Sequence, residues 1–203
     1  MIRAVISDMG KVIVHFDNRI FFARLAEAAG RTPEEILGLA FYKGSGLLNA
    51  FDAGELDPDG FRAEVCRRVG VELDHDRFYA IYDDIFRLIP STLEALRAAR
   101  RTCRIVLLSN TDPMRYGFIL RTFPEVRLFD AAVISCEEKL MKPDPRIYRL
   151  AVERAGVSAE ECAFIDDVPE NVTAAAALGI QGIVFEEGRT DLRAEFRRLG
   201  IQV

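Results

Sequence analysis

Asp8 follows the apolar run Ile2-Arg3-Ala4-Val5-Ile6-Ser7 and precedes Met9-Gly10-Lys11-Val12. Alone it would read as a turn former, a common role of Asp where a strand ends. Three more polar sites stand in similar settings. Ser109-Asn110-Thr111 closes Ile105-Val106-Leu107-Leu108, and Lys142-Pro143-Asp144-Pro145 opens a helical stretch. Asp166-Asp167 closes Cys162-Ala163-Phe164-Ile165, with Asn171 shortly beyond. Apolar strands that end in polar groups, with one lysine, describe a site at the carboxyl edge of a parallel sheet. Asp8, Asp166 and Asp167 converging there would repel one another and could not all stay ionised uncompensated. A hard cation and a lysine are the available remedies. Oxygen-only ligands with few protein contacts suit Mg²⁺, which keeps several waters and is shared with a substrate phosphate. Lys142 supplies a second positive charge, and Ser109 and Asn110 add donors suited to phosphoryl oxygens. A carboxylate nucleophile, a cation, a lysine and a hydroxyl form a kit for transfer through an aspartyl-phosphate.

The elements that must position these residues alternate from residue 91 onward. Leu93, Leu96 and Ala99 fall at helical spacing, followed by a strand over 104–108 and another over 131–135. A helix over 145–155 has Asp144 as N-cap, Pro145 at its first position and Gly156 beyond its end. Ser158 and Glu161 stand at capping-box spacing before a strand over 162–165. A helix over 169–178 stops at Gly179, and a strand runs from Gln181 to Phe185. This rhythm predicts an α/β fold with a doubly wound parallel sheet. Residues 18–88 break it with helical patterns only, over 18–29, 33–43, 58–69 and 74–87, where Tyr79, Tyr82 and Phe86 read as one buried face. Thr32 and Glu35 form a capping box in this block. Such a block between the first strand and the others reads as an inserted helical cap over 17–88, with the core in 1–16 and 89–203.

Composition narrows the partners. Half of the 203 residues are apolar and the net charge is −5, which favours a soluble globular enzyme over a nucleic-acid binder. The pairs Arg67-Arg68, Arg100-Arg101 and Arg197-Arg198 fall near expected helix ends, where they complement the helix dipole. No apolar run reaches membrane-spanning length, and a strand this close to Met1 leaves no room for a signal peptide. Cys66, Cys103, Cys136 and Cys162 are scattered and the chain has two histidines, so reduced buried thiols in a cytoplasmic protein are expected rather than thiolate zinc or disulfides.

The order D-x-G-x-V after the first strand, L-S-N-T, K-P-D and I-D-D-x-x-x-N resembles the four motifs of the haloacid dehalogenase superfamily, in the subfamily IA type with a C1 cap. Within it, Asp8-Met-Gly-Lys-Val-Ile-Val, Phe51-x-x-Gly-Glu and Met141-Lys-Pro-Asp-Pro-Arg-Ile-Tyr148 are similar to bacterial α-D-glucose-1-phosphate phosphatases and to the phosphatase domain preceding some epoxide hydrolases. The resemblance implies a Rossmann-like core and a Mg²⁺-dependent phosphatase of a small phosphorylated metabolite, a sugar 1-phosphate foremost. Asp8 would be nucleophile and metal ligand, with the Gly10 carbonyl and Asp167 as further ligands. Asp166 and Asn171 would orient them, Ser109 and Asn110 would bind the phosphoryl group, and Lys142 would neutralise it. One departure stands out. Most phosphatases of the superfamily carry an acid where this chain has Gly10, and losing a general acid costs about 10²–10⁴-fold. A sugar 1-phosphate, whose anomeric oxygen leaves readily, answers this, as does His15 or, further off, Asp17 acting as a substitute acid. The competing readings are a non-catalytic binding module and, further off, a metal-independent 2-haloacid dehalogenase, for which clustered Asp166 and Asp167 would be counterproductive.

Overall fold

The computed structural model describes residues 1–42 and 44–203. In chain order its elements are β1 (Ala4–Ser7), β2 (Val14–Phe16), α1 (Asn18–Ala29), α2 (Pro33–Ala40), α3 (Leu47–Asp52), α4 (Pro58–Val69), α5 (His75–Tyr82) and β3 (Phe86–Leu88). There follow α6 (Pro90–Ala99), β4 (Arg104–Ser109), α7 (Pro113–Thr122), β5 (Ala131–Ile134), α8 (Ser135–Glu138), α9 (Pro145–Ala155), β6 (Cys162–Asp166), α10 (Pro169–Ala176), β7 (Gln181–Val184) and α11 (Leu192–Arg198). The strands β5-β4-β1-β6-β7 form one parallel sheet, so β1 lies at its centre between the strands that carry Ser109 and Asp166.

Alternation along β1 divides the core into two layers, as a pleated strand buried on both faces requires. Val5 packs with Leu107, Ile165, Leu96 and Phe196 on one face. Ala4 and Ile6 pack with Val106, Phe164, Ile147 and Tyr148 on the other. The helices that cover the second face stop and start as their residues dictate. The Asp144 side chain accepts from Arg146 N, Pro145 opens α9, and Gly156 closes it in the left-handed conformation. Both expected capping boxes, Thr32 with Glu35 and Ser158 with Glu161, are formed.

Residues 18–85 build a third, separate apolar cluster under α1–α5. Its centre is aromatic: Phe51 stacks on Phe61 at 4.3 Å between ring centroids, and Phe21 meets Tyr82 edge-on at 5.0 Å. Such pairs add about 0.5–1.5 kcal/mol each beyond area burial.

The helical block differs from its sequence pattern in three places. The stretch 74–87 is not one helix: α5 ends at Tyr82, and Phe86 lies on β3, which pairs antiparallel with β2 (Val14 with Leu88, Phe16 with Phe86). Helical spacing there yields to a tertiary pairing that closes both chain crossings between block and core. The helix expected over 33–43 stops at Ala40, and its expected end at Lys43 lies outside the described residues. The short helix α3 begins after Gly46, which adopts the left-handed conformation.

Candidate active site

Asp8 leaves β1 with its N–H still bonded to the Ile165 carbonyl at 2.8 Å, so the central strand delivers it to the carboxyl edge in register with β6. Lys142 comes from the loop before α9 and is fixed by Asn110. The Lys142 N–H donates to Asn110 Oδ1 at 2.9 Å, and Asn110 Nδ2 donates back to the Lys142 carbonyl at 3.0 Å. The Asn110 amide thus clamps the lysine's backbone. The ammonium reaches Asp8 Oδ1 at 2.8 Å and Asp166 Oδ2 at 2.7 Å, and donates to the Leu108 carbonyl at 3.1 Å. All three of these charged side chains are buried.

Asp166 has little capacity left for anything else. Its carboxylate also accepts from Val168 N at 2.8 Å and from Asn171 Nδ2 at 3.1 Å. Asn171 therefore braces Asp166 and, through it, Lys142. Asp167 points the other way, half-buried, with Lys11 Nζ at 3.8 Å. Lys11 itself has φ +54, a left-handed conformation unusual for a residue with a side chain.

Electrostatics follow from burial. Removal from water pushes the Asp8 carboxyl up to about 6, although Lys142 pulls it back. Burial alone would depress the Lys142 ammonium, but Asp8 and Asp166 outweigh it and hold it above its ordinary value. Burial and the neighbouring Asp166 raise Asp167. The buried Lys142 and the more exposed Lys11 thus face three carboxylates whose ligand oxygens lie within 4.8 Å of one another. The donors left over after Lys142 is satisfied are the second Asp8 oxygen, Asp167 and the Gly10 carbonyl. They are all oxygen, which fits a small hard cation and leaves room for waters.

These residues form the floor of a cavity of about 360 Å³, with Ser109 and Gly10 beside them. Its other wall includes Leu48, Asn49 and Asp52 of α3, together with Phe16, Asn18, Phe86 and Arg115. Where the two walls meet, Ser135 Oγ donates to the Asp52 carbonyl at 2.5 Å and accepts from Thr111 N at 2.9 Å. Arg115 lies over the Tyr82 ring, 3.9 Å from its centroid, and donates to Asn18 Oδ1 at 3.0 Å. Asp112 caps α7 and accepts from Tyr82 Oη at 2.8 Å. A larger groove of about 1010 Å³ near the opposite edge of the sheet holds arginines such as Arg97, Arg101 and Arg104, with no carboxylate cluster.

The fold thus brings together Asp8, Gly10, Ser109, Asn110, Lys142, Asp166, Asp167 and Asn171. It does not bring His15 to them: its Nδ1 pairs with Glu187 at 2.9 Å, and the ring is absent from the cavity wall. Asp17 caps α1 and binds Arg19. Sequence reasoning missed Asp52, Asn49, Asn18 and Arg115: the first three reach the cavity because the helical block folds over the sheet edge, and Arg115 because α7 starts beside it. The one sequence signal is the segment Phe51-x-x-Gly-Glu, which contains Asp52 and lies next to Asn49. All four cysteines are free and buried.

Known proteins place this arrangement. The chain is 27% identical over 190 residues to a phosphorylated carbohydrates phosphatase of Thermotoga maritima, covering 89% of this chain and 83% of that protein. It is 26% identical over 200 residues to mouse acyl-CoA dehydrogenase family member 10, covering 94% of this chain but only 18% of the larger protein. A solved haloacid dehalogenase family enzyme of Bacteroides thetaiotaomicron, in complex with magnesium and inorganic phosphate, superposes with a TM-score of 0.82 at 23% identity, covering 94% of this chain and 97% of that one. The family model of the haloacid dehalogenase-like hydrolases matches residues 2–179. With that match spanning four of the five sheet strands and the helical block, the chain belongs to the haloacid dehalogenase-like hydrolases.

Proposed function

We propose that this hydrolase is a Mg²⁺-dependent phosphatase of small phosphorylated metabolites, with sugar 1-phosphates as the favoured class. The observation that carries this reading is the buried Lys142 ammonium held between Asp8 and Asp166, with Asp8, Gly10 and Asp167 lining the same cavity. Asp8 attacks phosphorus, and its carboxylate becomes an aspartyl-phosphate. Lys142 keeps Asp8 ionised despite burial and faces the transferring oxygens. Ser109 offers its hydroxyl to one of them, while Asn110 holds Lys142 in place. Asp8, Asp167 and the Gly10 carbonyl would hold Mg²⁺, which when bound offsets the charge of nucleophile and phosphoryl group. The relationship to the Thermotoga phosphatase supports a carbohydrate leaving group, as do the amides of Asn18 and Asn49 in the opposite wall.

The test is phosphate release from sugar phosphates, nucleotides and p-nitrophenyl phosphate, each with Mg²⁺ or EDTA, by wild type and Asp8→Asn. Metal-dependent turnover that the substitution abolishes is expected, with the highest kcat/KM on a sugar 1-phosphate. Well-folded protein that releases no phosphate from any of them would overturn the reading. Chelator-resistant halide release from a 2-haloacid would replace it with dehalogenation.

A further inference from the structure

We propose that Asp52, on the last turn of α3, is the acid that protonates the leaving oxygen and the base that takes the proton of the attacking water, replacing the side chain that Gly10 lacks. This rests on the phosphatase reading above. The position where an acid at residue 10 would stand is filled: a Cβ built on Gly10 would lie 3.0 Å from Phe16 Cε1. The proton must therefore come from elsewhere on the cavity wall. Asp8 and Asp167 face the cation side, Lys142 is committed to two carboxylates, and Lys11 lies beside Asp167. Arg115 does not release a proton in proteins. Asp52 is the remaining carboxyl lining that cavity; among the described residues no side chain donates to it, and the backbone N–H of Asp112 is its hydrogen-bond partner.

Its placement is independent of its charge. The Asp52 carbonyl is anchored to Ser135, and Thr111, two residues beyond Ser109, is bonded to the same hydroxyl. This ties the end of α3 to the loop that carries the phosphoryl donors. The surroundings also favour a proton-carrying form. Burial and the Asp112 carboxylate raise the carboxyl to about 7, against the pull of Arg115 and of the Asp112 backbone N–H. Tyr82 and the thiol of Cys136 are the other titratable groups on this seam, and burial raises both. A carboxyl poised near neutrality can give and recover a proton in one cycle.

The balance is complete without another reactant. An Asp8 oxygen bonds to phosphorus as the ester P–O bond breaks, and the leaving oxygen keeps the electron pair and takes the Asp52 proton. Water then attacks phosphorus, its proton passes to the Asp52 carboxylate, and the acyl-phosphate bond breaks to restore Asp8. One alcohol and one hydrogen phosphate are released.

The test is rapid-quench kinetics of Asp52→Asn with Mg²⁺, on p-nitrophenyl phosphate and on the best sugar phosphate of the panel. Nitrophenolate leaves without a proton, so its first step proceeds without Asp52, whereas breakdown of the aspartyl-phosphate does not. Expected are a burst of about one nitrophenolate per enzyme followed by slow turnover, and no burst with the sugar phosphate, whose first step falls about 10²–10⁴-fold. The burst itself reports an intact site, and Asp52→Glu should recover part of the lost rate. Equal losses on both substrates without a burst, or no loss on either, would overturn the role of Asp52. Failure of the phosphatase reading is distinct, because wild type would then release no phosphate.

Discussion

At the scale of single residues, this site is dominated by one cation shared among buried carboxylates. Lys142 bonds to both Asp8 and Asp166, so Lys142→Met strands two buried acids. Breaking a buried pair from one side costs about 3–5 kcal/mol. The expected result in urea titration is a loss of that order with turnover abolished, and Asp166→Asn should weaken the same network. Asp83 makes the opposite case. Its Oδ1 is buried without a partner, and burial together with Asp112 raises the carboxyl to about 7. Between the ordinary carboxylate range and pH 7 the folded chain therefore holds a proton that the unfolded chain releases. Stability falls as pH rises through that window and levels off above it. Asp83→Asn does not titrate, so its advantage over wild type should grow from near zero at pH 4 to about 1–3 kcal/mol at pH 8. Melting both proteins across pH 4–8 checks this, and a constant difference would refute it.

Among elements, the decisive contact is the corner after α3 against α8. Gly54 has φ +67, and a Cβ there would lie 2.3 Å from the Cys136 carbonyl oxygen. Lys139 Nζ donates to the Gly54 carbonyl and Ser135 to that of Asp52, so this corner seats one cavity wall on the other. Gly54→Ala must displace it. A shift of about 1 Å in a positioning element can cost about 10²-fold. The expected outcome is a fall of that order in kcat/KM on sugar phosphates, and unchanged kinetics would show that the corner does not set the working position of α3. The ribbon of β2 and β3 was illegible beforehand for a related reason. Three residues per strand carry too little pattern, and Tyr79, Tyr82 and Phe86 mimic one helical face until Phe86 pairs with Phe16.

For the molecule as a whole, two apolar layers flank the sheet and a third fills the helical block, with the candidate site where they meet. A cation bound by Asp8 and Asp167 acts on stability by mass action, about 2.7 kcal/mol at a hundredfold excess over Kd. Mg²⁺ should therefore raise the melting temperature, EDTA should reverse the gain, and Asp167→Asn should remove most of it. Much of this architecture was readable in the chain. Apolar runs ending in Asp8, Ser109 and Asp166 mark a parallel sheet edge, because strands buried on both faces are written as continuous apolar stretches and polar residues end them. Caps at Thr32, Asp144 and Ser158 are equally local, since each side chain bonds within its own turn. The sequence alone therefore determined the fold class and the residues at the carboxyl edge. Only the tertiary structure decided that Asn110 serves Lys142, that His15 turns to Glu187, that Phe16 fills the place beside Gly10 and that Asp52 faces the nucleophile's cavity. Apart from Phe16 and Gly10, six positions apart, those relations join residues tens of positions apart, and tertiary packing sets all of them rather than any local period.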